Sequence, residues 1–122
     1  MFYEVKGVKQ EPGNLRRRWF QAEDMDLIVW FEGIELVRFQ LSYNRHLGER
    51  SIIWSRESGY HHHRIDDGEQ QPGHYKSAPI ITGYLPLDFS AAKEAYLKHI
   101  DGDDRPLFQE VLDHLDRGHR QQ

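Results

Sequence analysis

Hydrophobic and polar residues alternate most regularly between Glu35 and Tyr43. There Val37, Phe39, Leu41 and Tyr43 interleave with Leu36, Arg38, Gln40 and Ser42. A period of two sends one set into a core and leaves the other largely polar, so the segment predicts a strand. Leu27-Ile28-Val29-Trp30-Phe31 is a continuous apolar run rich in β-branched and aromatic residues and too short for a typical helix, and it predicts a second strand. Glu32-Gly33 between the two reads as a tight hairpin turn. Upstream, Phe2 to Lys9 and Leu15 to Gln21 flank the turn signal Glu11-Pro12-Gly13-Asn14, the pattern of an opening β-hairpin. Downstream, Ser51 to Glu57 carries Ile52, Ile53 and Trp54 and predicts another strand, and Tyr60 onward extends the series. Residues 70–79 hold Pro72, Gly73 and Pro79 and read as an irregular connection, with Ile80-Ile81-Thr82 a short extended piece after it.

The period changes near residue 88. Phe89, Ala92, Tyr96 and Ile100 fall on one helical stripe, with Asp88 or Ser90 as cap and Gly102 as stop. Phe108, Val111, Leu112 and Leu115 follow i, i+3, i+4, i+7, with Pro106 in the first turn, Asp103 or Asp104 before it and Gly118 as terminator. His114, beside this stripe, reads as a surface or boundary residue. Strands followed by helices predict an α+β fold, an antiparallel β-meander of about five to six strands over roughly residues 2–66 with two C-terminal helices packed on one face. Ile28 and Trp30, with Trp54 as a further candidate, fall on the other face. A homodimer is one way to cover them.

Composition narrows the class. At 122 residues the chain fits one domain, residues 1–122, large enough for a core without staples. With no Cys, a disulfide scaffold, a thiolate zinc site and a cysteine nucleophile are all excluded. No stretch approaches the ~20 apolar residues of a membrane helix. Charge within Met1 to Lys6 breaks any signal-peptide apolar region, so the expected location is the cytoplasm. The net charge of −4 falls entirely on residues 61–122, which carry seven basic and eleven acidic side chains. That imbalance disfavours general nucleic-acid binding, which needs clustered cations.

Several segments in order resemble a family of small uncharacterised bacterial proteins. They are Arg17-Arg18-Trp19-Phe20, Asp26-Leu27-Ile28-Val29-Trp30, Phe39-Gln40-Leu41-Ser42-Tyr43, Trp54, Asp66-Asp67-Gly68-Glu69, Pro72-Gly73 and Ser77-Ala78-Pro79-Ile80. The likeness covers roughly residues 16–115 and implies a single domain. Members of that family often carry Cys where Ser42 stands, so it implies no thiol role here and transfers no catalytic or binding residue.

Candidate chemistry concentrates in Tyr60-His61-His62-His63-Arg64-Ile65-Asp66-Asp67. If this segment is extended, His61, His63 and Asp67 share one face, while Tyr60, His62, Arg64 and Asp66 share the other. Two imidazoles at i, i+2 with a carboxylate are a candidate set for Zn²⁺ or another divalent transition metal, or for a general base. The competing reading is a half-solvated strand in which His is merely β-compatible. Asp66-Asp67-Gly68-Glu69 lacks the D-x-[DN]-x-[DN]-G calcium loop and reads as a solvated turn. Arg16-Arg17-Arg18-Trp19-Phe20 is a weak nucleic-acid candidate, because on a strand Arg16, Arg18 and Phe20 face away from Arg17 and Trp19. No serine sits in a nucleophile elbow and no phosphate-binding glycine loop occurs. Catalysis is left open. The leading reading is a binding or assembly domain without a resident cofactor, forming a homodimer, its small-molecule ligand unassigned. A metal-binding or His-dependent enzyme at His61–Asp67 is the alternative.

Overall fold

The computed structural model describes residues 1–66 and 80–119. Seven strands lie side by side in chain order: β1 (Tyr3–Glu4), β2 (Leu15–Gln21), β3 (Asp26–Glu32), β4 (Glu35–Tyr43), β5 (Arg50–Ser55), β6 (Gly59–Asp66) and β7 (Ile80–Tyr84). Every neighbouring pair is antiparallel, so the sheet is an uninterrupted meander. Two helices follow, α1 (Ser90–Tyr96) and α2 (Arg105–His119). The α+β meander with C-terminal helices is as the periodicity implies, and the extended piece at residue 80 adds the seventh strand.

From β2 to β6 the links are short, which makes this order the easy one. The β3–β4 turn is Gly33-Ile34, since Glu32 pairs with Glu35. Gly33 takes φ +60° while Ile34 does not enter the positive region, the pattern of a type II′ turn that matches strand twist. The turn therefore sits one residue later than Glu32-Gly33. The opening hairpin is only partial. β1 pairs at Tyr3 and Glu4, and beyond it the Gln10 carboxamide takes the place of a strand. Its Oε1 accepts from the Arg17 N–H at 2.8 Å and its Nε2 donates to the Arg17 carbonyl at 2.9 Å.

One face of the sheet holds the core. Phe20, Leu27, Val29, Phe39, Leu41 and Ile52 point at Phe89, Ala92, Tyr96, Phe108, Val111 and Leu115 from the helices. Aromatic edges lock the layers, with Phe20 and Phe2 lying 5.1 and 5.4 Å from Phe108. Arg18 ties strand to helix entry, bonding Glu4 at 2.9 Å and Asp104 at 3.0 Å.

Four sequence expectations change in three dimensions. Trp54 pairs with Phe39 in register and lies on the helix face, its ring 5.9 Å from that of Phe39. His114 is buried at 7% exposure, because α2 presses it onto Trp54 with ring centres 3.9 Å apart. α1 stops near Tyr96, well before Gly102, with Asp88 Oδ1 accepting from the Ser90 N–H at 3.1 Å. Gly118 does not end α2: helix continues to His119, and Gly118 is the spot where Phe89 and Tyr60 touch the helix backbone.

The fourth strand departs from simple alternation. Trp30 faces Arg38 and Phe31 faces Leu36, leaving Val37 without a partner on β3. This β-bulge inserts one extra residue into β4, so the side chains on either side of it change faces. Leu36 joins the core with Phe39, Leu41 and Tyr43, and Val37 leaves it for the opposite face beside Arg38.

Candidate functional site

The His-rich segment is a strand, and its alternation decides which rings meet. His61 and His63 project to the face away from the helices, hereafter the open face, whereas Tyr60 and His62 project towards the helices. The His61 and His63 rings lie 6.1 Å apart with planes only 13° from parallel. His61 Nε2 donates to the Ser58 carbonyl at 3.1 Å, which fixes the proton on that nitrogen. His63 is 5% exposed; burial first, and then the neighbouring imidazoles, depress its pKa below the usual histidine value. Two of the three candidate metal ligands thus share a face. Asp67, the third, lies outside the described residues, as does Asp67-Gly68-Glu69 of the acidic turn. Among the described residues no three His, Asp or Glu side chains come together in a way that could hold a metal.

His62, between them in sequence, has a different role. Its Nδ1 donates to the Pro86 carbonyl at 2.7 Å, and the Tyr43 hydroxyl donates to its Nε2 at 2.6 Å. Both ring nitrogens are thus satisfied in the neutral form, which burial favours by lowering the pKa. His62 fastens the far end of β4 and β6 to the segment leading into α1. It is a core histidine with a full set of partners.

The basic cluster divides as the strand period requires. Arg18 and Phe20 face the helices and Phe20 is fully buried, while Arg17 and Trp19 face the open side. Arg18 is neutralised by Glu4 and Asp104, and Arg17 by Glu11 at 3.2 Å. Two of the three guanidinium groups are thereby committed inside the molecule, and no continuous basic surface forms from this run.

The open face itself is the least satisfied part of the molecule. One cross-strand row runs Gln21, Asp26, Ser42, Ser51, His63 and Tyr84; the next runs Trp19, Ile28, Gln40, Ile53 and His61. Among the described residues, Arg17 Nε, Trp19 Nε1, Ser51 Oγ and His63 Nδ1 are buried without a hydrogen-bond partner, and all four belong to this face. On the helix face, by contrast, His62, Tyr43 and Tyr96 are bonded, the last donating to the Phe108 carbonyl at 2.8 Å. Buried polar groups in native folds are normally paired, so a cluster of unpaired ones marks where another molecule or water belongs.

At the end of the open face that carries the β3–β4 and β5–β6 turns lies a groove of about 510 Å³, walled by Leu15, Val37, Arg38, Ile53 and His61 with Ser55 and the turn residues Arg56 to Ser58. The Arg38 guanidinium stacks on Trp30, 4.6 Å from the ring centre. Sequence periodicity does not reveal this groove. Its one trace there is Leu36, an apolar residue on what straight alternation makes the polar side of β4. Comparison with family models, curated proteins and solved structures yields no match to this chain.

Proposed function

We propose that this chain is a non-catalytic binding domain that works through the open face of its sheet and pairs there with a second copy of itself. The contrast between the two faces carries the reading. Among the described residues, buried His62 and Tyr43 on the helix side have partners, while Trp19 Nε1, Ser51 Oγ and His63 Nδ1 on the open side have none. Beside them Trp19, Ile28 and Ile53 are partly exposed. Large apolar side chains left next to unpaired donors fit a surface completed by a partner. Gln40 sits between Ile28 and Ile53 in register, and its carboxamide both donates and accepts. Across a two-fold axis two such groups can bond each other reciprocally, which suits the isologous contact of a homodimer.

Sedimentation velocity over the micromolar range tests this. Wild-type protein is expected to sediment as a dimer, and Ile28→Glu as a monomer with unchanged far-ultraviolet dichroism. A wild-type chain that stays monomeric at the highest concentration overturns the assembly.

A second reading, metal binding or His-dependent chemistry at His61 and His63, has one observation behind it: the two rings share a face 6.1 Å apart and His63 Nδ1 is unbonded. Zn²⁺ titration followed by calorimetry tests it. Low-micromolar uptake that disappears in the His61→Ala, His63→Ala double variant supports the site; no uptake by the wild-type protein ends it.

A further inference from the structure

We propose that the groove at the turn end of the open face binds a small organic anion, an apolar body bearing one carboxylate, with the body on Val37, Ile53 and Leu15 and the carboxylate on Arg38. This rests on the open face being the binding surface, though not on the dimer. The groove's volume of about 510 Å³ falls within the range of small-molecule sites.

The β-bulge builds it. Without the bulge Val37 would join the core and Arg38 would stand alone above a flat sheet; with it, an aliphatic side chain and a guanidinium project side by side from consecutive positions. Ile53 on the neighbouring strand and Leu15, 40% exposed, extend the apolar floor.

The charges on the wall are unequal in availability. Arg56 is shared between Glu32 and Glu35, which leaves these three groups at the turns with one net negative charge. Arg38 makes no ion pair among the described residues and is exposed, with its Cζ held over the Trp30 ring. A guanidinium stacked on an indole keeps its N–H edge free, and that fork matches a carboxylate in two parallel hydrogen bonds. His61 on the far wall has its Nε2 proton committed to the Ser58 carbonyl, so that N–H is not offered to the groove. Glu57 at the rim is the one opposing charge without a cation beside it among the described residues, and it sits on the exposed β5–β6 turn. The unpaired guanidinium lies next to the floor, while the excess negative charge lies on the turns at the mouth, so an anionic head pairs at the floor beside Arg38.

Titration of the full chain with naphthylacetate, followed by backbone amide shifts, tests the proposal. Naphthylmethylamine serves as the opposite-charge control. Naphthylacetate is expected to saturate and to move the amides of Val37, Arg38, Ile53 and Ser55. Arg38→Gln is expected to weaken it about ten- to a hundredfold, the worth of one charge-assisted pair, with partial recovery in Arg38→Lys. The proposal is overturned if naphthylacetate does not saturate, if the amine binds equally well, or if Arg38→Gln binds as tightly as wild type. The same titration on Ile28→Glu separates the two readings. Saturation in both proteins with no dimer in either removes the assembly and leaves the groove, and a dimer without saturation does the reverse.

Discussion

Burial of His114 makes the stability of this fold depend on pH in a way one substitution can isolate. The ring is pressed against Trp54, and its Nδ1 lies 3.2 Å from Arg117 Nη2 and 3.4 Å from the Tyr60 hydroxyl. Because a guanidinium only donates, Nδ1 must be an unprotonated acceptor and the ring must be neutral. Desolvation, and next the Arg117 charge, hold its pKa down to about 4 from an ordinary 6.5, with Asp113 opposing weakly. The folded state therefore binds fewer protons than the unfolded state between these values. Its contribution is complete above pH 6.5 and is lost as pH falls towards 4. At about 1.4 kcal/mol per pH unit the whole gap is worth about 3 kcal/mol, of which about 2 is gone at pH 5. His62 and His63 act in the same direction, so the wild-type slope alone does not identify His114. His114→Phe keeps an aromatic ring against Trp54 and removes the titration. Urea denaturation of both proteins at pH 7 and pH 5 should give a variant that loses about 2 kcal/mol less than wild type over that interval. Equal losses would show that the ring is solvated in the folded state and would refute the burial assigned to it.

Three further outcomes follow from packing. Gly118→Ala should destabilise by about 1–2 kcal/mol in thermal or urea melts, although alanine is the better helix former by about 1 kcal/mol. A Cβ at that position would lie 2.6 Å from both Phe89 Cε2 and Tyr60 Cδ1, the former on a fully buried ring, and a neutral or stabilising result would contradict the contact. Leu36→Ala should cost about 2–5 kcal/mol and Val37→Ala under about 2, because the bulge puts Leu36 in the core under the helices, while Val37, also buried, is the smaller side chain and lies outside that core; the reverse order would mean regular alternation through β4. Tyr43→Phe should cost about 1–2 kcal/mol and raise the His62 pKa seen by NMR, since the lost hydroxyl donates to the neutral ring; an unmoved titration would break that assignment.

Local periodicity was enough for the elements. The alternation of β4, the apolar run of β3, and the stripes of Phe89, Ala92 and Tyr96 and of Phe108, Val111 and Leu115 are all properties of neighbours in sequence. Their faces are buried as pattern implies. The shared face of His61 and His63 was legible for the same reason: once β6 is extended, a period of two leaves no choice. What could not be read was anything set by pairing. Trp54 belongs to the helix face because it registers with Phe39, and that register is fixed between strands.

The order of strands and helices and their amphipathic faces are determined by the chain itself, because side-chain spacing along a strand or helix is fixed by backbone geometry. Tertiary structure alone decided that Val37 steps out of line, that His114 goes inside, that Gly118 must stay bare, and that Leu15, Arg38, Ile53 and His61 from four strands enclose one groove. Each of these depends on residues far apart in sequence competing for the same space, and no local period records that competition.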